Sequence, residues 1–245
     1  MIKGNVFGLI GKNIDYSFSK KYFRKKFELE NLNYTYSNFD LNNLDSFASI
    51  FIKNEIAGLN VTTPYKSDII KHLDEIDKTA LIIGAVNTIK VECDKKIGYN
   101  TDYMGFEKSL VPLIERKKTE HALILGSGGA SKAIKYVLKN LNINYSIVSR
   151  KKGKSEFIYE NLNKDLINKY KLIINCSPVG TFPKINNYPN IPYEFLSKDH
   201  ILYDLVYNPD ESLFLKKGKQ FGSLTKNGLE MLKIQANESW KIWNF

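Results

Sequence analysis

The sequence predicts an α/β fold in two domains, and three observations lead to this prediction. Short apolar segments alternate with helical patterns from the start of the chain, which is typical of a largely parallel sheet. This alternation ends near Asp102 and restarts from about Tyr103. A buried segment at residues 121–125 then runs straight into a group of glycines and a further helical pattern.

The first domain is expected to combine strands and helices. We predict strands at residues 6–10, 34–39, 56–61 and 86–91. We predict helices near residues 19–30, 44–53, 65–73 and 76–83. The polar turn at residues 94–96 indicates that the last of these strands forms a hairpin.

The second domain repeats the alternation. We predict strands at residues 121–125, 145–149, 172–175 and 201–205. A helix should follow the glycines as far as Leu141, a Pro- and Asn-rich loop should occupy residues 178–192, and residues 228–243 should form an amphipathic helix. Because no repeat or low-complexity linker separates the two domains, we expect a rigid cleft between them.

Composition narrows the class of protein. A chain of 245 residues with 43% hydrophobic residues can bury a sizeable core without a disulfide framework. Its apolar runs are too short to cross a bilayer and its N-terminus lacks the apolar stretch of a signal peptide, so we expect a cytoplasmic protein with no membrane partner. Cys93 and Cys176 match no metal-ligand spacing, which predicts no metal site.

The formal charge of +10 is typical of some nucleic-acid-binding proteins. Here the lysines are dispersed along the chain, and the short runs near Lys20 and Arg24 suit a solvated helix face. We therefore predict no nucleic-acid partner, and the positive field is better suited to attracting anionic small molecules.

The glycine-rich turn predicts a dinucleotide site. A strand that runs into glycine and then a helix directs unpaired backbone N–H groups and the positive helix end at one point, where a pyrophosphate can bind. Gly126 permits the tight turn, Gly128 lets the phosphate approach the backbone, and Ala133 is the third small position. We assign the whole turn to the cofactor: Gly126, Ser127, Gly128, Gly129 and Ala130.

The end of the next predicted strand indicates which dinucleotide binds. NAD-binding units usually place Asp or Glu there to bind the ribose 2′-hydroxyl, but this chain has Ser149, Arg150 and Lys151. Arg150 can bind a 2′-phosphate bidentately, and Lys151 can add a point charge. We assign all three residues to the cofactor and predict NADP rather than NAD.

Three polar clusters follow predicted strands of the first domain, where an open parallel sheet presents its ligands. They comprise residues 16–19, residues 60–66, and residues 85–88 with residues 98–102. Taken singly, these residues are also typical of caps and turns, with Ser19 and Asp102 as N-caps and Asn87 in a turn. Their order along the chain is more informative than any one of them.

In that order the chain resembles the shikimate dehydrogenase family. The most distinctive block is Asn-Val-Thr-x-Pro-x-Lys at residues 60–66. The other blocks are residues 16–19, 84–88, 100–102, 126–130, 175–180, 203–209 and 231–236. The resemblance spans nearly the whole chain. It implies a substrate-binding and catalytic domain at residues 1–102, completed by residues 226–245, and a doubly wound Rossmann NADP-binding domain at residues 103–225.

The resemblance implies the reversible reduction of 3-dehydroshikimate to shikimate by NADPH, in aromatic amino acid biosynthesis. Hydride arriving at a ketone carbon leaves an alkoxide that must be protonated. A cationic lysine, here Lys66, can stabilise that charge and deliver the proton. Asp102 would hold the Lys66 ammonium and a ring hydroxyl, so that the two residues form a catalytic dyad.

The resemblance also implies binding roles. Ser17, Ser19 and Tyr207 would bind the substrate carboxylate, and Lys66, Asp102, Thr62, Asn87 and Gln235 would contact the rest of the substrate. Asn175, Ser177, Leu205 and Gly228 would line the nicotinamide side of the cofactor. Gln235 follows Met231 and Leu232 by one turn, so its amide requires a polar partner from a neighbouring helix or the substrate. Monomer and homodimer both fit this family.

Several residues depart from the usual family pattern. Lys20 replaces a proline after Ser19, which predicts a looser turn at the carboxylate site. Cys176 and Thr181 replace the more common Ala and Met near the nicotinamide. We expect Cys176 to act as a small buried residue rather than as a redox thiol.

Two alternatives stay open at this stage. One is a quinate or broad-specificity paralogue, and serine at both positions 17 and 19 favours shikimate over quinate. The other is an NADP-binding regulatory protein without turnover. The presence of both Lys66 and Asp102 argues against it, because a binding protein has no need of the dyad.

Overall fold

The computed structural model describes residues 4–15, 17–150, 153 and 155–244. The chain divides into two compact units. Unit 1 runs to Thr101 and resumes at Gln235, and unit 2 is Asp102–Ile234. Within the described residues each unit is built on one six-stranded sheet. The α/β class predicted from the alternating pattern is confirmed.

Unit 1 has a mixed sheet. Its strands are β1 (Val6–Gly11), β2 (Thr35–Asp40), β3 (Ile56–Val61), β4 (Glu75–Ile76), β5 (Thr88–Glu92) and β6 (Lys95–Tyr99). Its helices include α1 (Phe18–Leu29), α2 (Phe47–Lys53) and α3 (Lys78–Ile83). The strand order is β2-β1-β3-β5-β6-β4, in which β1 is parallel to β2 and β3, and β5 is antiparallel to β3 and β6.

The strands at the centre of this sheet are buried on both faces. Phe7 and Leu9 of β1 belong to one apolar cluster with Phe23 of α1, whereas Ile10 belongs to a second cluster with Phe47 of α2. Neighbouring side chains of a strand point to opposite faces, so this division follows from the two-residue period. The apolar run of β1 therefore anchors α1 on one face and α2 on the other.

The prediction of a helix at residues 65–73 is wrong. The structure has only a 3₁₀ helix there, Asp68–His72, because the carbonyl of Lys66 accepts a hydrogen bond from Val86 N at 2.7 Å instead of serving a helical turn. The helix predicted at residues 76–83 begins later than expected. Asp77 caps α3 by accepting from the backbone N–H groups of Thr79 and Ala80.

The predicted hairpin is present as β5 and β6. Its turn is formed by Cys93 and Asp94, which have φ values of 48° and 62°, and Lys95 already pairs with Glu92. Two consecutive residues with positive φ are characteristic of the tight turns that join antiparallel strands. The turn thus lies slightly before residues 94–96.

Unit 2 has an all-parallel sheet. Its strands are β7 (His121–Leu125), β8 (Asn144–Ser149), β9 (Phe157–Ile158), β10 (Leu172–Asn175), β11 (Ile201–Asp204) and β12 (Leu224–Lys226). The remaining helices are α4 (Asp102–Ile114), α5 (Gly129–Asn140), α6 (Lys164–Lys169), α7 (Leu213–Gln220) and α8 (Leu229–Asn244). The order β12-β11-β10-β7-β8-β9 is the doubly wound order of dinucleotide-binding sheets.

Helix α8 contributes to the cores of both units. Met231 belongs to the unit 2 cluster that contains Ile124 of β7. Ala236 and Trp243 belong to the unit 1 cluster that contains Phe7. None of the helices within the described ranges is long and apolar enough to cross a membrane.

Candidate active site

The glycine-rich turn connects β7 to α5, as predicted. Gly126 has φ +110°, a conformation that favours glycine, and its N–H donates to Val148 O at 2.9 Å. Gly128 is the N-cap residue of α5. Ala133 is completely buried on α5, at the position where close packing of the helix requires a small residue.

The start of α5 fits a dinucleotide phosphate. A Cβ built on Gly128 meets no described atom within 4 Å, so the backbone there is open to a close approach. Ser127 and Gly128 are exposed, and the first N–H groups of a helix have no partner within it. These are the properties of a pyrophosphate cradle.

Arg150 directly follows β8 and is exposed. Burial raises the pKa of Tyr159, and the positive charge of Arg150 acts on that pKa in the opposite direction. Ser149 is buried, and its Oγ lies 2.8 Å from Ser155 Oγ. Lys151 lies outside the described residues. The exposed cation Arg150 therefore stands at the end of β8, where binding of a 2′-phosphate requires a positive charge.

The residues assigned to the nicotinamide side are brought together within unit 2. Leu205 N donates to Asn175 O at 3.0 Å, and Ser177 Oγ donates to Asn175 Oδ1 at 2.6 Å. Gly228 packs directly against the backbone of Leu205, because a Cβ added to Gly228 would lie 2.2 Å from Leu205 O. Gly126 belongs to the same group, since a Cβ added to it would lie 3.3 Å from Ser177 N.

Asp204 supports this group, and sequence reasoning missed it. It is completely buried at the end of β11, where Oδ1 accepts from Asn175 Nδ2 at 2.9 Å and from Val206 N at 3.0 Å. Ser212 Oγ donates to its Oδ2. Burial raises the pKa of Asp204 to about 6, against the effect of these hydrogen bonds. An acid that ends a buried apolar strand was the available signal.

Cys176 lies between Asn175 and Ser177 and is half-buried, less buried than the sequence predicted. Burial raises the pKa of its thiol well above the usual range, and the charge of Asp204 acts in the same direction. The protonated form is therefore strongly favoured, and a thiol that stays protonated is a poor nucleophile.

In unit 1, Asn87 and Gln235 form a direct pair. The backbone N–H of Thr101 donates to Asn87 Oδ1 at 2.7 Å, and a backbone N–H can only donate. The NH₂ group of Asn87 must therefore be on the other side, where it donates to Gln235 Oε1 at 2.7 Å. The partner that Gln235 requires is thus a loop residue before β5, and not a neighbouring helix.

A buried network of polar side chains supports this pair, and sequence reasoning assigned its members no role. Tyr36 Oη donates to Asn60 Oδ1 at 2.8 Å, and Asn60 Nδ2 donates to Ser239 Oγ at 2.9 Å. Each member is at most 8% exposed: Tyr36, Asn60, Thr88, Thr101 and Ser239. The signal in the sequence was Asn60 itself, an amide in a strand that is otherwise apolar or glycine.

The two serines assigned to the carboxylate lie at the start of α1. Ser17 is its N-cap residue and makes no side-chain capping bond. Ser19 lies beside Tyr36. Burial raises the pKa of Tyr36, and the hydrogen bond with the Ser19 hydroxyl offsets a smaller part of that rise. Thr62 directly follows β3 and packs its methyl group against Gly11, where a Cβ would come within 2.5 Å of it.

Lys66 lies in the turn after β3, and its carbonyl is anchored by Val86 N. Asp102 is the first residue of α4 and is 3% exposed. Tyr207 is half-buried in the loop after β11. Lys66 belongs to unit 1, and Asp102 and Tyr207 belong to unit 2. Their joint roles stay predictions.

Comparisons with known proteins agree with this organisation. Residues 9–89 match the family model described as the shikimate dehydrogenase substrate binding domain. The chain is 38% identical to the shikimate dehydrogenase (NADP(+)) of Methanococcus vannielii over 256 residues, covering 96% of this chain and 90% of that protein. It is 41% identical to that of Clostridium botulinum strain Hall over 246 residues, covering 96% and 95%.

Solved structures give the same result. Shikimate dehydrogenase 1 of Peptoclostridium difficile matches with a TM-score of 0.85 and 36% identity, over 98% of this chain and 91% of that one. The Thermus thermophilus enzyme, in complex with NADP(H) and shikimate, matches with a TM-score of 0.84 and 25% identity, over 97% and 92%. With identity at this level along nearly its whole length, the chain belongs to the shikimate dehydrogenase family.

Proposed function

We propose that the protein catalyses the reversible, NADPH-dependent reduction of 3-dehydroshikimate to shikimate, a step in aromatic amino acid biosynthesis. The observation that carries the proposal is near-full-length identity of about 40% to proteins named shikimate dehydrogenase (NADP(+)). The sites in the two units support it separately. Unit 2 has an open helix start, suited to a phosphate, and an exposed arginine after the next strand, and unit 1 has a partly buried amide pair suited to a polyol.

Unit 2 would hold the cofactor. The exposed N–H groups at the start of α5 bind the pyrophosphate, and Gly128 gives it room. Arg150 binds the 2′-phosphate that distinguishes NADP from NAD. Asn175, Ser177, Leu205 and Gly228 surround the nicotinamide. NADPH, when bound, supplies the hydride.

Unit 1 would hold the substrate. Its amides and hydroxyls suit an anionic polyol, because each can donate or accept a hydrogen bond. Gln235 Oε1 faces Asn87, so the Gln235 NH₂ group is directed elsewhere, and none of the described residues accepts from it. We assign that NH₂ group and Thr62 to ring hydroxyls. Ser17 and Ser19, together with Tyr207, would bind the carboxylate.

Lys66 would act on the proton. Reduction of the ketone leaves negative charge on its oxygen, and the Lys66 ammonium stabilises that charge and protonates the oxygen. Asp102 orients the Lys66 ammonium and accepts from a neighbouring ring hydroxyl. Asp102 is 3% exposed, and a buried polar side chain requires hydrogen-bond partners.

The test is the oxidation of reduced nicotinamide, followed by its absorbance, when purified protein is mixed with 3-dehydroshikimate. NADPH and NADH are run in parallel, and 3-dehydroquinate serves as the alternative substrate. We expect rapid oxidation of NADPH with 3-dehydroshikimate alone. Comparable turnover of 3-dehydroquinate would assign the protein to the quinate paralogues, and NADPH binding without any turnover would assign it to non-catalytic binding proteins.

A further inference from the structure

Ser239 lies at the centre of the buried network in unit 1 and is completely buried. Asn60 Nδ2 donates to its Oγ at 2.9 Å, and Thr88 Oγ1 lies 2.8 Å from it. The hydroxyl also lies 3.0 Å from the carbonyl oxygen of Gln235, one helical turn earlier. A serine that bonds a carbonyl four residues back gives a helix no advantage over alanine. The polar contacts across the unit therefore require another explanation.

The backbone determines how the Asn60 amide is oriented. Asn60 Nδ2 lies 3.3 Å from the carbonyl oxygen of Asn87, which can only accept. The NH₂ group of Asn60 must face that carbonyl and Ser239, and its Oδ1 faces the Tyr36 hydroxyl. Ser239 thus accepts from β3 and keeps its own proton to donate within α8 or to β5.

Thr88 connects Ser239 to the Asn87 side chain. Thr88 Oγ1 lies 3.1 Å from Asn87 Oδ1, to which it can donate, and 2.8 Å from Ser239 Oγ, where either hydroxyl can be the donor. Asn87 in turn pairs with Gln235 at 2.7 Å, on the same helix as Ser239. The hydroxyls of Ser239 and Thr88 therefore close a ring of hydrogen bonds that joins α8 to the loop before β5.

We propose that Ser239 is a positioning residue for substrate binding, which holds the amides of Asn87 and Gln235 in the orientation that the substrate hydroxyls require. This inference rests on the proposed function. Ser239 does not touch the substrate. The N–H of Thr101 would still hold Asn87 Oδ1, but loss of the Ser239 hydroxyl would weaken the ordering of both amides, and the free energy of ordering them would then oppose substrate binding.

The first variant is Ser239→Ala. We expect KM for 3-dehydroshikimate and the dissociation constant for shikimate to rise about tenfold, the size of one hydrogen bond in a buried site. The value of kcat should change less than about threefold, because the substrate and the transition state lose the same contacts. KM for NADPH should not change.

Ser109→Ala is the matched control. Ser109 is a buried helix serine of α4 that bonds the carbonyl of Gly105 four residues back at 2.7 Å and lies 2.6 Å from Tyr203 Oη. Both variants remove a buried hydroxyl that lies within hydrogen-bond distance of a carbonyl one turn back and of another side chain, so both should lower the free energy of unfolding. Only Ser239→Ala should weaken shikimate binding, as measured by calorimetric titration without cofactor.

Thr88→Val breaks the same connection between Ser239 and Asn87 at a different residue. It should raise KM for 3-dehydroshikimate, and adding Ser239→Ala should raise it little further, because both changes break one ring of bonds. If Ser239→Ala does not fold, KM and shikimate affinity are measured for Ser239→Cys and Thr88→Val instead and compared with those of Ser109→Ala. Unchanged KM and shikimate affinity in these variants would overturn the inference while wild-type turnover upholds the proposed function. A wild type that neither turns over 3-dehydroshikimate nor binds shikimate would overturn both.

Discussion

Asn175 and Asp204 lie side by side in the interior of unit 2, where Asn175 Nδ2 donates to Asp204 Oδ1 at 2.9 Å. Neither residue is exposed. Because the NH₂ group of Asn175 faces Asp204, its Oδ1 faces Ser177 and accepts from both the backbone N–H and the hydroxyl of that residue. A buried carboxylate therefore determines the conformation of the loop that we assign to the nicotinamide.

The raised pKa of Asp204 predicts an unusual dependence of stability on pH. Burial raises this pKa from 3.8 to about 6, so the folded state binds more protons than the unfolded state between these values. The contribution of Asp204 to stability therefore falls as pH rises from about 4 to about 6 and is constant above that range. The total change is about 3 kcal/mol.

Asp204→Asn removes this titration with little change in shape. We expect the free energy of unfolding of the wild type, minus that of Asp204→Asn, to fall by about 2 kcal/mol between about pH 4.5 and about pH 7. Urea unfolding across this range measures the difference. A constant difference would show that Asp204 titrates alike in the folded and unfolded states.

Gly128 and Gly126 should respond differently to alanine. A methyl group at Gly128 meets no described atom, so Gly128→Ala should lower the free energy of unfolding by less than about 1 kcal/mol. It should raise the dissociation constant for NADPH about tenfold or more, because the methyl group occupies the approach of the phosphate. Binding is followed by the fluorescence of NADPH.

Gly126→Ala is the counterpart within the same turn. Its φ of +110° strains any other residue, and a Cβ would lie 3.3 Å from Ser177 N. We expect a loss of about 1 to 3 kcal/mol in the free energy of unfolding. Unimpaired NADPH binding by Gly128→Ala would contradict the assignment of this turn to the pyrophosphate.

Arg150 should select between the two nicotinamide cofactors. Arg150→Ala removes a charge-assisted contact with the 2′-phosphate, so KM for NADPH should rise about 10- to 100-fold while KM for NADH is unchanged. Arg116→Ala is the control, since Arg116 is also an exposed arginine of unit 2 and its loss changes the net charge equally. Parallel losses for both cofactors would assign Arg150 to another role.

Lys66 should affect the chemical step more than binding. We expect Lys66→Ala to lower kcat by about 10² to 10⁴ and to change KM for 3-dehydroshikimate much less, because the proton is transferred only in the transition state. Lys71→Ala, at an exposed lysine of the following 3₁₀ helix, is the control. An equal effect on both constants would make Lys66 a binding residue.

Much of the fold could be predicted because buried parallel strands have simple patterns. β3, β7 and β10 have the predicted bounds, since each is mostly apolar and is bounded by clear breaks. The short edge strands β9 and β12 were not predicted, because two or three residues show no periodicity. The helix at residues 65–73 was mispredicted because its hydrogen bonds depend on Val86, a residue distant in sequence.

The residues of the candidate site also fall into those that local sequence predicts and those that depend on distant segments. The turn at Gly126 and the cation at Arg150 could be predicted because they depend on local sequence. The ring that joins Asn87 to Ser239 could not, because it depends on the register that places Asn60 opposite Thr88 and on the docking of α8. Such contacts between distant segments leave only a weak trace in the sequence, namely polar residues at positions that are otherwise apolar.

Helix α8 has a consequence for the synthesis of the protein on the ribosome. The aromatic cluster of unit 1 contains Trp243, whose indole N–H donates to Ile89 O at 2.9 Å and whose ring covers Gly58. All of unit 2 is synthesised before Trp243 emerges. The core of unit 1, whose strands are made first, therefore stays incomplete until all of unit 2 has been made.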